Sequence, residues 1–249
     1  MPMPLDMPSM GIRITDYNMP NVMNRASTGI GKLDVLMGGG YPQDSMILVI
    51  APPGIEKLLA AIQFLDSAPA GEALACITTD MAPSAISLKA SEYGLSHAAS
   101  RQNVRYIDCY SWTIGKEQEK SSADIPVQGP SSLNDLSIAI NTVITEAPET
   151  AKKRAVFHSL STILLYNPPE VVFKFVQITG ARLKSQGTTV LYLLESEMHD
   201  EKTISTLRHL MDEVMEIRRE DGKAKLYFQA SNVQKGLPVK VGSNGLEIN

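Results

Sequence analysis

Short, nearly continuous apolar runs alternate along the chain with longer stretches in which apolar residues recur at helical spacing. The runs are rich in Val, Ile and Leu, which is typical of strands buried on both faces of a parallel sheet. They cover residues 46–50, 73–78, 104–109, 155–157 and 188–194. Helices are predicted near residues 57–67, 83–93, 132–146 and 170–186. Because such alternation requires crossover connections, we expect an α/β fold with a mostly parallel central sheet and helices on both of its faces.

The pattern changes after a further predicted helix near residues 203–211. Strand-like segments separated by short turn signals follow, and they favour antiparallel strands at the C-terminal end of the sheet. The predicted strands cover residues 213–218, 225–230 and 238–241, and the turns fall at residues 221–222 and 243–245.

We expect one domain over residues 25–249. Residues 1–24 are rich in Met and Pro and predict an N-terminal arm. Residues 112–131 combine Gly, Ser, Pro and mixed charge, so they predict a flexible insertion within the domain.

Composition and charge restrict the partners. The chain has a net charge of −4, which gives no general attraction to nucleic acid, so a nucleic-acid partner is not expected. No apolar run is long enough to span a membrane, and the first residues lack the features of a secretion signal, so we expect a cytoplasmic protein with no membrane partner. Residues 152–154 form the densest basic cluster and are predicted to lie in a solvated loop.

The two cysteines and four histidines indicate no metal site. Cys76 and Cys109 each lie inside or beside an apolar run, so they are interpreted as small buried side chains rather than as a disulfide. The acidic stretch Glu195–Glu201 contains His199 and is interpreted as a solvated loop in preference to a divalent-ion site.

The turn after the first core strand has the outline of a phosphate-binding loop. Residues 51–58 have the sequence APPGIEKL, and a helix follows. In such a loop, glycines let backbone N–H groups surround a phosphate, a lysine neutralises charge and a Ser or Thr hydroxyl binds Mg²⁺. Only Lys57 and the Pro-Pro-Gly centre fit, because Ala51, Glu56 and Leu58 replace the two glycines and the hydroxyl residue. Taken alone, the turn is more simply interpreted as an ordinary strand-to-helix connection.

Other segments give this loop a context. Residues 27–42, STGIGKLDVLMGGGYP, resemble the lead-in of KaiC-like and RadA-like ATPases, where a glycine triplet permits a tight turn. Residues 77–83 (ITTDMAP) are similar to that family's second core strand and acidic pair, and residues 154–161 (RAVFHSLS) to its Walker B strand. Residues 237–248 are similar to its closing hairpin. The resemblance implies a RecA-type P-loop NTPase fold.

The resemblance also implies a nucleotide site in which most functional positions are altered. The vestigial nucleotide-binding residues it implies are Pro53, Gly54, Ile55, Glu56, Lys57 and Leu58. Asp80 and Met81 stand at the acidic pair, and His158 stands at the Walker B aspartate. Residues 228–232 lie where the family has a trans-acting K-x-R-G segment and do not match it. We therefore expect no catalytic residue, no metal and no required cofactor, with ATP or ADP bound at most weakly and without Mg²⁺.

Three functions remain open. The preferred one is a non-hydrolytic, KaiC-like regulatory or scaffold subunit that pairs with itself or with an active KaiC-like paralogue. The alternative is an ATP-binding protein with weak or conditional hydrolysis, because Lys57 and the Pro-Pro-Gly turn remain. A DNA-associated recombinase paralogue rests on fold analogy alone. On the preferred hypothesis, Glu56, Leu58 and His158 occupy the positions at which an active member of the family binds phosphate and magnesium.

Overall fold

The fold is built on one large sheet. It is taken from a computed structural model that describes residues 24–54, 56–115, 124–228 and 236–248. Within these ranges, ten strands form the sheet and two short strands form a separate antiparallel pair. The paired short strands are β1 (Arg25–Ala26) and β2 (Tyr41–Pro42). The sheet contains β3 (Met46–Ala51), β4 (Ala73–Thr78), β5 (Val104–Asp108), β6 (Ile125–Pro126), β7 (Lys153–His158), β8 (Thr188–Glu195), β9 (Glu213–Glu220), β10 (Lys223–Phe228), β11 (Leu237–Gly242) and β12 (Gly245–Ile248).

The strand order across the sheet is β12-β11-β10-β9-β3-β8-β7-β4-β5-β6. From β9 to β6 every neighbouring pair runs parallel, and from β9 to β12 every pair runs antiparallel. β9 therefore belongs to both parts: it is parallel to β3 and antiparallel to β10. The expected mostly parallel sheet with antiparallel strands at its C-terminal end is confirmed.

Helices cover both faces of the sheet, as predicted. The helices are α1 (Gly31–Leu36), α2 (Glu56–Asp66), α3 (Pro83–Glu92), α4 (Ser96–Ala99), α5 (Leu133–Glu146), α6 (Leu160–Tyr166), α7 (Pro169–Ser185) and α8 (Glu201–Leu210). The first four pack on one face and the last four on the other. In β3, Ile47 and Val49 face the first layer, whereas Leu48 and Ile50 face the second. Burial on both faces explains why this strand is continuously apolar.

The glycine-rich lead-in makes the turn that its sequence predicts. Gly38, Gly39 and Gly40 all have positive φ, which favours glycine, and they lead from α1 into β2. The carboxylate of Asp34 accepts hydrogen bonds from the hydroxyls of both Ser27 and Thr28, at 2.6 Å each. The Thr-Gly and Leu-Asp parts of the segment thus stabilise each other.

Gln63 connects this lead-in to the opposite end of the chain. It lies in α2, and its side-chain amide donates to the carbonyl oxygens of Gly29 and Leu246, at 3.2 Å each. Its Oε1 accepts from the backbone N–H of Leu246 at 2.7 Å. Both outward-facing backbone groups of Leu246, in β12, are therefore satisfied by one side chain.

The prediction of a solvated loop is wrong for Lys153 and Arg154. Both residues lie in β7 and are buried, whereas Lys152 is exposed. Arg154 Nε donates to Glu72 Oε2 at 2.5 Å, and its guanidinium lies 4.8 Å from the ring centre of Phe64. A buried arginine is tolerated here because an ion pair and hydrogen bonds replace its hydration.

Other sequence expectations have mixed outcomes. Cys76 and Cys109 are buried free thiols, as predicted, and burial raises the pKa of Cys109 to about 12. Within the predicted flexible insertion, β6 pairs with β5 and Val127 is buried, so this part is tied to the sheet. Residues 1–23 of the predicted arm and residues 116–123 of the predicted insertion lie outside the described residues. None of the described helices is long and apolar enough to cross a membrane.

Candidate functional site

The candidate site lies at one edge of the sheet, where the carboxyl ends of four adjacent parallel strands meet. These strands are β3, β8, β7 and β4, in that order. The ends of these strands and the segments that follow them bring together Lys57, Glu195, His158 and Asp80. Open parallel sheets bind ligands at this edge, in the crevice outside the carboxyl ends of the strands.

Lys57 is buried at the start of α2 and forms an ion pair with Glu195, at the end of β8. The backbone N–H of Glu195 donates to the hydroxyl of Ser161 at 2.8 Å, and the next residue, Ser196, donates to the carbonyl oxygen of Ala51 at 2.9 Å. These bonds fix the end of β8 against β3 and α6. The ammonium group that would neutralise a bound phosphate already has a carboxylate partner.

Asp80 and His158 form a second pair beside the first. Asp80 Oδ1 lies 2.5 Å from His158 Nδ1. Burial tends to raise the pKa of Asp80, but His158 and the nearby charge of Lys57 outweigh it and hold that pKa below its usual value. Asp80 is therefore a carboxylate at neutral pH.

The end of β7 is held against the end of β4 by backbone and hydroxyl contacts. The backbone N–H of Thr79 donates to the carbonyl oxygen of His158 at 2.7 Å, and that of Ser159 donates to Thr79 Oγ1 at 2.8 Å. The peptide bond between His158 and Ser159 is cis. The side chain of His158 is 5% exposed, so the imidazole ring is almost fully buried.

Glu56 pairs with a residue of β9, on the side of β3 opposite to β8, and its side chain lies against Gly54 of the loop. Its Oε1 accepts a hydrogen bond from Arg219 Nη2, in β9, at 2.7 Å. A Cβ placed on Gly54 would overlap Glu56 Oε2 and would lie 3.2 Å from Arg219 Nη2. The carboxylate thus fills the space directly above the glycine of the loop.

The remaining loop positions face different surroundings. Pro53 and Gly54 are exposed, and Leu58 is buried in the apolar layer beneath α2. Met81 packs against the same layer. Ile55 lies outside the described residues, as do the last four of the residues expected to replace the K-x-R-G segment. Glu56, Leu58 and His158 thus share one edge of the sheet but point to different partners.

The stretch Glu195–Glu201, predicted to be a solvated loop, begins with the last residue of β8, which pairs with Lys57, and ends with the first residue of α8. The side chain of Asp200 accepts a hydrogen bond from the backbone N–H of Thr203 at 2.7 Å and so caps α8. Among the described residues, no group of three or more acidic, His or Cys side chains is arranged to hold a metal ion.

A cleft of about 660 Å³ lies on the face of the sheet that α8 covers, between α8, β9 and β10. Arg208 and Arg218 line it, and both donate to Glu216, at 2.8 and 2.9 Å. Its cations are therefore paired within the protein, and the loop after β3 remains the stronger candidate.

The sequence singles out the loop and its altered positions but misses two partners, Glu195 and Arg219. Glu195 could be found by noting that it directly follows a predicted strand, because the carboxyl ends of parallel strands meet at one edge. The position of Arg219 depends on β9 lying beside β3, and no local pattern predicts which strands are neighbours. Chemically, the edge presents two carboxylate–cation pairs and one Asp–His pair.

Comparisons with known proteins agree with this fold. A protein-family model described as a family of unknown function (DUF7504) matches residues 45–217, from the start of β3 into β9. A UPF0273 protein of Thermotoga maritima is 22% identical over 178 residues, which cover 69% of this chain and 70% of that protein. The crystal structure of a KaiC-like protein from Pyrococcus horikoshii OT3 has a TM-score of 0.68 at 16% identity, covering 90% of this chain and 98% of that one. The expected KaiC-like, RecA-type fold is confirmed.

Proposed function

We propose that this chain, which belongs to the family of unknown function DUF7504, is a non-hydrolytic, KaiC-like regulatory or scaffold subunit. The matched residues include the loop after β3 and the ends of the neighbouring strands. The proposal therefore concerns a chain whose core has a RecA-type fold and whose candidate site carries altered residues.

The observation that carries the proposal is the pairing of Lys57 with Glu195. A phosphate-binding lysine acts by placing an unneutralised positive charge beside the outer phosphates. Here a carboxylate from the adjacent strand holds that charge, so an incoming phosphate must displace Glu195 and then bind beside it. Two like charges about 4 Å apart repel by roughly 1–4 kcal/mol, which weakens binding by about one to three decades.

The positions that would hold magnesium support the same conclusion. Mg²⁺ prefers oxygen ligands in octahedral geometry. Leu58 has no oxygen in its side chain and is buried in the core, and His158 is engaged with Asp80. Phosphoryl transfer depends on the charge of the metal ion, so the loss of these ligands argues against efficient turnover.

The intact scaffold supports a role in pairing. The sheet, both helix layers and the lead-in segment are retained around the altered loop. We propose that the partner is a second copy of this chain or an active KaiC-like paralogue, and that the subunit acts in regulation rather than in catalysis.

The alternative is a protein that binds ATP or ADP weakly without magnesium. One observation favours it: Pro53 and Gly54 are exposed, so a phosphate that displaces the carboxylate of Glu56 could reach the start of α2. Helix N-termini favour anions even without a metal.

ATP hydrolysis and ATP binding distinguish these functions. We expect the purified chain to hydrolyse ATP no faster than Lys57→Ala does, with or without Mg²⁺. Lys152→Ala is the matched control, because Lys152 is an exposed lysine paired with Asp44 far from this edge. Hydrolysis that Lys57→Ala abolishes and Lys152→Ala retains would overturn the proposal. Calorimetric heat on titrating ATP without Mg²⁺, with no hydrolysis, would favour the alternative.

A further inference from the structure

The contact between Glu56 and Arg219 is not explained by the altered magnesium positions. Arg219 lies in β9, which is beside β3, and it reaches the loop after β3 from the side opposite to Glu195. Two cations, Lys57 at the end of this loop and Arg219 beside it, are therefore each paired with a carboxylate of this chain.

We infer that Glu56 blocks a two-cation phosphate site, and that its carboxylate, held by Arg219, stands where a phosphate group of a polyphosphate would bind. The inference rests on the proposed function in one respect, since it takes the loop after β3 to be a former phosphate-binding loop. It adds that the carboxylate of Glu56, bound by Arg219, occupies the phosphate position, in addition to the loss of the groups that would bind phosphate and magnesium.

Position supports this inference. The carboxylate of Glu56 lies so close to Gly54 that a Cβ there would overlap it. Backbone that approaches a phosphate this closely is what glycine permits in phosphate-binding loops. The carboxylate also lies at the start of α2, an eleven-residue helix, where a negative charge is stabilised by the helix dipole.

Burial and charge support it as well. The side chain of Glu56 is 11% exposed, whereas that of Arg219 is 49% exposed. Arg219 thus covers the carboxylate from the solvent side. A planar guanidinium binds carboxylate and phosphate oxygens with the same geometry, so Arg219 could bind either anion.

The energetics favour a contact that blocks binding over one that holds the fold together. An ion pair with a half-exposed arginine contributes little to folding. Removing the charge of Glu56 should therefore leave the chain folded. It should also leave Arg219 without an internal partner on this side of the loop.

The test measures binding of inorganic tripolyphosphate to the full chain by calorimetry without Mg²⁺. We expect Glu56→Gln and Glu56→Gly to bind it at least about ten-fold more tightly than the unaltered chain, because one repulsive charge is removed. Combining either change with Arg219→Ala should remove the gain.

The matched control is Glu216→Gln. Glu216 is also a largely buried carboxylate paired with arginines, and it lies in the same strand as Arg219, but it faces the cleft beside α8. This change alters net charge equally, and any tripolyphosphate binding that it creates in the cleft between Arg208 and Arg218 should survive Arg219→Ala, unlike the gain from Glu56→Gln. Thermal melting of every variant verifies that it is folded.

The inference is overturned if folded Glu56→Gln and Glu56→Gly bind tripolyphosphate no better than the unaltered chain, or if the gain survives Arg219→Ala. It is also overturned if the unaltered chain already binds as tightly as the variants. These outcomes are independent of ATP hydrolysis, which tests the proposed function separately.

Discussion

Arg154 joins three segments that are distant in the sequence. Its guanidinium donates to Glu72, to the carbonyl oxygens of Ser27 and Phe64, and to the hydroxyl of Ser67, at 2.5–3.0 Å. The side chain is almost fully buried, so its charge depends on these partners instead of water. The lead-in, the end of α2 and β7 are thereby held in one arrangement.

We expect Arg154→Met to destabilise the chain by about 3–5 kcal/mol, because it leaves the carboxylate of Glu72 without its partner. Lys152→Met, two residues earlier, breaks only the exposed pair with Asp44 and should cost less than about 1 kcal/mol. Urea unfolding of both variants measures the difference. Equal losses would show that the burial of Arg154 has no energetic consequence.

Single residues also show what a sequence pattern misses. The cluster at residues 152–154 looks solvated because charges usually lie at the surface, yet Lys153 and Arg154 lie in a strand. Their burial depends on Glu72 and on backbone carbonyls that only the folded chain brings near. In the candidate site, Lys57 and Glu56 could be identified from their positions in the loop, but their partners could not.

The glycine turn before β2 has a strict backbone requirement. Gly38 and Gly40 both have positive φ, so a side chain strains the backbone at either position. A Cβ on Gly40 would also overlap the carbonyl oxygen of Ala26 in β1, whereas a Cβ on Gly38 would meet open space. The two positions therefore separate backbone strain from steric overlap.

We expect Gly40→Ala to cost about 1–3 kcal/mol more than Gly38→Ala, since only the first must displace a strand. Thermal or urea unfolding of the two variants measures this difference. If Gly38→Ala is as damaging as Gly40→Ala, the contact between the turn and β1 does not limit stability.

Length decides which elements can be predicted. The five long apolar strands and the helices over residues 57–67, 83–93, 132–146 and 170–186 are confirmed to within a few residues, because each presents several periods of its pattern. The helices α1, α4 and α6 have four to seven residues, and β1, β2 and β6 have two. Elements this short show too little periodicity to stand out.

At the scale of the whole molecule, one sheet runs from the first core strand to the C-terminal hairpin. β9 is bonded to both the parallel and the antiparallel parts, and Gln63 joins α2 to β12. The single domain expected over residues 25–249 stays a prediction, which the cooperativity of unfolding can test.

We expect the two parts of the sheet to unfold together. Cys76, buried in β4, reports on the parallel part through its reaction with a thiol reagent, and amide exchange in β11 and β12 reports on the antiparallel part. Both probes should give the same urea midpoint, since β9 is shared. Exchange of the hairpin at a clearly lower urea concentration would indicate a separate unit.

Strand order is the property that the sequence does not supply. Local patterns establish that the strands exist, but they do not place β9 beside β3 or β8 between β3 and β7. Those placements bring Arg219 and Glu195 to the loop. The ion pairs of the site therefore cannot be predicted until the strand order is known.

The side chain of Gln63 has a consequence for how copies of this chain can associate. An edge strand with free N–H and C=O groups can recruit a strand from a neighbouring molecule. At Leu246 both of these groups are already hydrogen-bonded to the side-chain amide of Gln63, which takes the place that a residue of a further strand would occupy. A molecule trying to lengthen the sheet at this margin would first have to expel that amide, so continuous sheet growth between copies is disfavoured there.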